Sequence, residues 1–134
     1  MIDVESQVFQ RVANAFRAAY PDGFIAGEYV AQPPKFPAVS LVEMENYVNR
    51  QGRDSGDIEN FADVMYEANV YSNKAIGKKA ECRAIAALID EQMSALGFTR
   101  SFLNPIQNMN DATIYRMTGR WIATVGKDDF VYRR

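Results

Sequence analysis

The sequence predicts an α+β domain, with two helices packed on one face of a mainly antiparallel sheet of about four to six strands. Three observations predict it. Residues 60–73 alternate, with Val64, Tyr66, Ala68 and Val70 on one side and Asp63, Met65, Glu67 and Asn69 on the other, the period of a half-buried strand. The period then changes: Ile85, Leu88 or Ile89, Met93 and Leu96 recur every three to four residues, as along one face of a helix. Residues 113–125 return to alternation, Tyr115, Met117, Trp121, Ala123 and Val125 facing one way and Arg116, Thr118, Arg120 and Thr124 the other. A strand that runs into an amphipathic helix folds that helix back onto its sheet, so the core is expected here.

The elements follow in order. Val4 to Tyr20 reads as a first helix, with Val4, Val8, Val12, Ala15, Phe16 and Ala19 as its apolar stripe, Phe9 at the edge and Asp3 as N-cap. Pro21-Asp22-Gly23 ends it by turn chemistry. Phe24 to Val30 predicts a short strand broken at Gly27, and Pro33, Pro34 and Pro37 make the next stretch an edge or an extended connector. Residues 38–46 predict a strand whose start carries apolar side chains on both parities, hence burial on both faces. Tyr47 to Glu59, rich in charge, Gly and Asn, predicts a long hairpin loop. Ser72 or Asn73 is expected to cap the second helix, and Gly97 to end it in the left-handed conformation. Phe98 to Leu103 alternates weakly and is cut off by Pro105, so residues 104–111 read as a polar turn. After the 113–125 strand, residues 126–129 read as a hairpin turn and 130–132 as a last short strand, giving α-β-β-β-α-β-β-β in a single domain over 1–134.

Composition narrows the chemistry. The chain of 134 residues is 48% hydrophobic and 24% charged, which suits one folded domain rather than a disordered tail. A formal charge of −2 gives no global attraction to DNA or to anionic lipid. No apolar run approaches the length of a membrane span, and the acidic start Met-Ile-Asp-Val-Glu is unlike a secretion signal. Cys82 is the single cysteine, so no intrachain disulfide forms and a reducing cytoplasm is the expected place of synthesis. The absence of histidine removes Ser-His and Cys-His nucleophile pairs and nearly all zinc sites.

Several stretches imitate known sites. Gly77-Lys78-Lys79 resembles the end of a phosphate-binding loop, but Ser72 stands where that loop needs its first Gly and no Ser or Thr follows the lysines. Asp54, Asp57 and Glu59 lack the spacing and the glycine of a calcium loop. Glu43, Glu45 and Glu67 form the strongest enzyme candidate: three carboxylates converging on one sheet face would hold a divalent metal for phosphodiester hydrolysis. The competing reading makes them solvent-facing residues or cross-strand partners of Arg116 and Arg120. Those arginines, with Arg100, Lys127, Arg133 and Arg134 on nearby segments, suggest a basic face, better suited to subunit salt bridges than to nucleic acid because no aromatic-interleaved motif accompanies it. Tyr66, Phe98, Tyr115 and Trp121 are expected in the core.

Three runs carry a likeness to a known family: Pro34-Lys35-Phe36-Pro37-Ala38-Val39-Ser40-Leu41-Val42-Glu43, then Glu59-Asn60 through Tyr71-Ser72-Asn73 to Gly77-Lys78-Lys79, then Leu96-Gly97-Phe98-Thr99-Arg100 to Tyr115-Arg116. They resemble small tailed-phage and prophage proteins of the head–tail joining and tail-completion group, the tail terminators or minor capsid proteins. The resemblance spans most of the chain and implies two helices on an antiparallel sheet, no cofactor and no catalytic residues. It further implies a homo-oligomeric ring, usually hexameric, that caps the tail tube, meets neck or head-completion proteins, and lets DNA pass through its channel without sequence-specific binding. Localisation in the virion tail or neck follows, with host cytoplasm as the site of assembly and no membrane partner. The excess of Asp and Glu, 17 against 15 Lys and Arg, suits a channel that DNA must not adhere to. The expected interface residues are Arg50, Arg53, Asp54, Asp57 and Glu59 in the loop, Arg116 and Arg120 on the long strand, and Tyr132 and Arg133 at the last strand. Two other readings stand beside this one: a head-side adaptor or head-closure (connector) protein, and a metal-dependent nuclease using Glu43, Glu45 and Glu67.

Overall fold

In the computed structural model the chain is described over residues 2–30, 32–48, 61–107, 111–126 and, for the backbone, 131–132. Its elements are α1 (Glu5–Ala19), β1 (Phe24–Ala26), β2 (Ala38–Val48), β3 (Phe61–Ser72), α2 (Lys78–Ala95), β4 (Thr99–Ile106), β5 (Tyr115–Gly126) and β6 (Val131–Tyr132). The order is the one the periodicities predict. The strands form one sheet in the order β1-β2-β3-β5-β4, with β6 also pairing β5. Every described pairing is antiparallel except β1 with β2, so the sheet is mixed but mainly antiparallel.

Both helices cover the same face. Val8, Val12 and Phe16 of α1 and Cys82, Ile85, Ile89 and Met93 of α2 join Val64, Tyr66, Ala68, Trp121 and Ala123 in one buried cluster. Burying each large aliphatic side chain there contributes about 1.5–3 kcal/mol. The predicted parity of β3 and β5 holds: Val64 pairs Ala123, Tyr66 pairs Trp121 and Val70 pairs Met117 beneath the helices. Ala38, Val39, Ser40 and Leu41 are all buried, as the apolar run at the start of β2 predicts. In the α1 stripe Ala19 is exposed, and Ala13 is buried instead.

Trp121 ties the layers together. Its indole N–H donates to Asp90 of α2 at 3.0 Å, which satisfies a donor on a ring that is 1% exposed. Gly119, two residues earlier on the same face, makes room for that ring: a Cβ there would lie 2.8 Å from the Trp121 side chain.

Several boundaries differ from expectation, each for a physical reason. Asp3 is not the cap residue of α1, which is Val4; its carboxylate nonetheless accepts the Glu5 N–H at 3.1 Å, meeting one unpaired donor from one position further out. Neither Ser72 nor Asn73 caps α2, which starts after Gly77 at φ 87° with no side-chain cap. Ser72 instead accepts the Lys74 N–H and donates its hydroxyl to Glu81 in the first turn at 2.7 Å. Gly97 takes the left-handed conformation expected of it, φ 97°, and Phe98 N–H to Met93 and Gly97 N–H to Ser94 close a Schellman end. Strand β1 stops at Ala26, and β2 runs on through Tyr47 and Val48. Strand β4 passes through Pro105 instead of stopping before it, because its outer side pairs with no described strand and asks no ladder donor of the proline.

Candidate functional site

The face of the sheet away from the helices is built from cross-strand rows whose members the register specifies. One row is Ser40, Asn69, Thr118 and Asn104; the next is Val42, Glu67, Arg120 and Phe102; a third is Ala38, Tyr71, Arg116 and Ile106. Alternation in β3 and β5 is what puts these side chains opposite the core.

A continuous polar network joins the rows. Arg120 donates Nε–H to Glu67 Oε2 at 2.8 Å, and Asn69 donates Nδ2–H to Glu67 Oε1 at 3.2 Å. The Asn69 carbonyl oxygen accepts from Arg116 Nε at 3.0 Å and from its terminal nitrogen at 2.7 Å, and from the Thr118 hydroxyl at 2.7 Å. Each guanidinium also lies by an aromatic ring, Arg116 at 5.7 Å from the Tyr71 centroid and Arg120 at 5.5 Å from that of Phe102. Burial raises the Tyr71 phenol above its ordinary 10.0, although Arg116 beside it pulls the other way. The two arginines are therefore held in fixed orientations. They differ in charge pairing: Arg120 has Glu67, while Arg116 meets no carboxylate among the described residues.

The convergent carboxylates expected of a metal site do not form. Met44 stands unpaired between Glu43, opposite Tyr66, and Glu45, opposite Met65. This bulge reverses the parity of β2, so Glu43 points to the helix face while Glu45 and Glu67 are on the other. Glu43 accepts the Tyr66 hydroxyl at 3.1 Å, and Glu67 is taken by Arg120 and Asn69. Among the described residues no group of three or more Cys, Asp and Glu is arranged to hold a metal ion. The alternative role of cross-strand partner is correct for Glu67.

The basic face is also narrower than expected. A second bulge, at Ser101, sets Arg100 opposite Trp121 on the helix side, where it pairs Asp90 at 3.4 Å rather than joining Arg116 and Arg120. Tyr66, Phe98 and Trp121 are core residues, as expected, and Tyr115 packs against the core part-buried. Cys82 is buried, its thiol facing the Val70 and Tyr115 carbonyls and pushed up to about 12 by burial, which makes it a packing residue rather than a nucleophile. The expected loop 47–59 lies outside the described residues beyond Val48, as do Arg50, Arg53, Asp54, Asp57, Glu59, Lys127, Arg133 and Arg134; Tyr132 is placed in β6 by its backbone.

The role of Asn69 was not legible as a site residue, since an Asn on the polar side of a strand has no distinguishing pattern. Its signal was positional: with Arg116 and Thr118 on a neighbouring strand, its amide is the group able to serve donors and acceptors together. Among the described residues no helix is long and apolar enough to cross a membrane. No protein-family model matches the chain, and a comparison with curated proteins finds no match.

Proposed function

We propose that this chain is a structural, ring-forming component of a phage tail or tail-like particle, of tail-terminator type, which joins the tail tube to the neck through contacts between surfaces and has no bond-making centre. The family likeness of its sequence supplies the kind of assembly, and the sheet supplies parts for it. The observation that carries the reading is Arg116. Asn69 and the Tyr71 ring hold its guanidinium in place, yet no described carboxylate neutralises it. A cation oriented in advance on a helix-free sheet face suits an acidic group on a neighbouring subunit, at low cost in side-chain entropy. Arg120, already paired with Glu67, shapes the same face without offering a free charge.

The test uses the purified chain and the particles that contain it. Native mass measurement is expected to show a multi-copy ring, and Arg116→Glu to weaken it at least tenfold while leaving the thermal unfolding transition in place. Particles lacking the chain are expected in electron micrographs as tails without heads or of irregular length. Normal particles in its absence would refute the reading.

A further inference from the structure

We propose that two copies of this chain meet through their helix-free sheet faces, Glu45 of each copy pairing with Arg116 of the other. This rests on the reading of Arg116 as a subunit contact and names the acid that meets it. The bulge at Met44 turns Glu45 away from the helices, where it is exposed and pairs with no cation among the described residues. Arg116 lies on the same face and meets no carboxylate among them. Other acids of the face are engaged, Glu67 by Arg120 and Asn69, and Asp63 by the Thr124 hydroxyl.

Within one copy the two charges are out of reach of each other. Glu45 stands opposite Met65 on one side of β3 and Arg116 opposite Tyr71 on the other, about 20 Å apart along the strands. A second copy supplies both partners at once. A two-fold axis in the interface, at right angles to the line from Glu45 to Arg116 and through its midpoint, exchanges the two positions and makes the contact twice. That midpoint falls on β3 between Glu67 and Asn69. Their side chains are already joined to each other and to Arg120, so the centre of the contact is covered without stranding a charge.

The apolar surface beside each charge is complementary as well. Tyr47, two residues past Glu45 on the same side of β2, is 61% exposed. Ile106, opposite Arg116 on β4, is 40% exposed. Arg116 and Ile106 also line a hollow of about 280 Å³ whose walls include Pro105, Ala112 and Ile114. A carboxylate with an aromatic ring beside it thus meets a guanidinium with an apolar hollow beside it. The contact is self-complementary and joins copies in pairs, so an even-membered ring contains this joint and one of another kind.

Native mass spectrometry of the full chain tests this with Glu45→Arg and Arg116→Glu. Each variant alone is expected to pair at least roughly tenfold more weakly, since each sets like charges together at both contacts. Mixed in equal amounts they should regain the pair as one copy of each, because the basic positions of one then meet the acidic positions of the other. A doubly substituted chain, Tyr47→Cys with Ile106→Cys, should give cross-linked pairs under a short bis-maleimide, with the buried Cys82 silent; this arm holds even if a charge variant fails to fold. If the unmodified chain assembles while Glu45→Arg matches it and no cross-link forms, Arg116 meets some other acid; the joint is then wrong and the ring reading survives. If the unmodified chain stays monomeric at all concentrations, both fall.

Discussion

Glu43 lies part-buried on the helix side of β2 with its carboxylate on the Tyr66 hydroxyl. Burial, and after it the negative charges of Glu5 and Asp3, raise its pKa above the ordinary 4.5, although the Tyr66 hydrogen bond opposes the shift. An acid whose pKa is higher in the folded state binds its proton more tightly there, so folding is favoured below 4.5 and that contribution is lost as pH rises through the folded value. At neutral pH the ionised Glu43 is therefore a liability. Glu43→Gln keeps an acceptor for Tyr66 without the charge. It should raise the urea midpoint at pH 7 and reduce the loss of stability that accompanies ionisation of Glu43 as pH rises above 4.5. An unchanged pH dependence would mean that solvent screens the site fully.

At the scale of the element, the Schellman end of α2 has a sharp consequence. Gly97 sits at φ 97°, where a Cβ crowds the backbone, and the turn it makes places Phe98, 2% exposed, back against Met93. Gly97→Ala should cost about 1–2 kcal/mol of unfolding free energy, read by chemical denaturation, with little change in native circular dichroism. This end was legible because Gly directly follows the last apolar residue of the helical period. Strand parity in β3 and β5 was legible for a like reason: Tyr66 and Trp121 belong to runs whose alternation is unbroken. The bulges were not. Nothing in Val42-Glu43-Met44-Glu45 marks Met44 as the extra residue, since a bulge is decided by partner register and twist rather than by the strand's own composition. That one residue moved Glu43 to the other face and dissolved the metal site. Pro105 misled for the converse reason, since it ends a central strand but is tolerated on an edge, and edge status belongs to the sheet.

At the scale of the molecule, core and assembly draw on different parts of the chain. Among the described residues the buried cluster draws mainly on α1, α2 and the inward rows of β2, β3 and β5. Strands β2 and β3 stay in register as far as Val48 opposite Ala62. Deleting residues 50–57 leaves positions 49, 58, 59, 60 and 61 to connect that pair. A connection of about four or five residues is an ordinary hairpin length, and shortening a loop lowers its closure entropy rather than raising it. The deletion should therefore fold with an unchanged or slightly higher denaturation midpoint. It also removes Arg50, Arg53, Asp54 and Asp57 from the proposed contact with the tube or the next subunit. If that contact is theirs, the deleted chain remains a folded protein that fails to complete tails, which measuring its melting transition beside the infectivity of complemented particles would reveal. Full infectivity with the deletion would remove the loop from the interface and leave the Arg116 face to carry assembly.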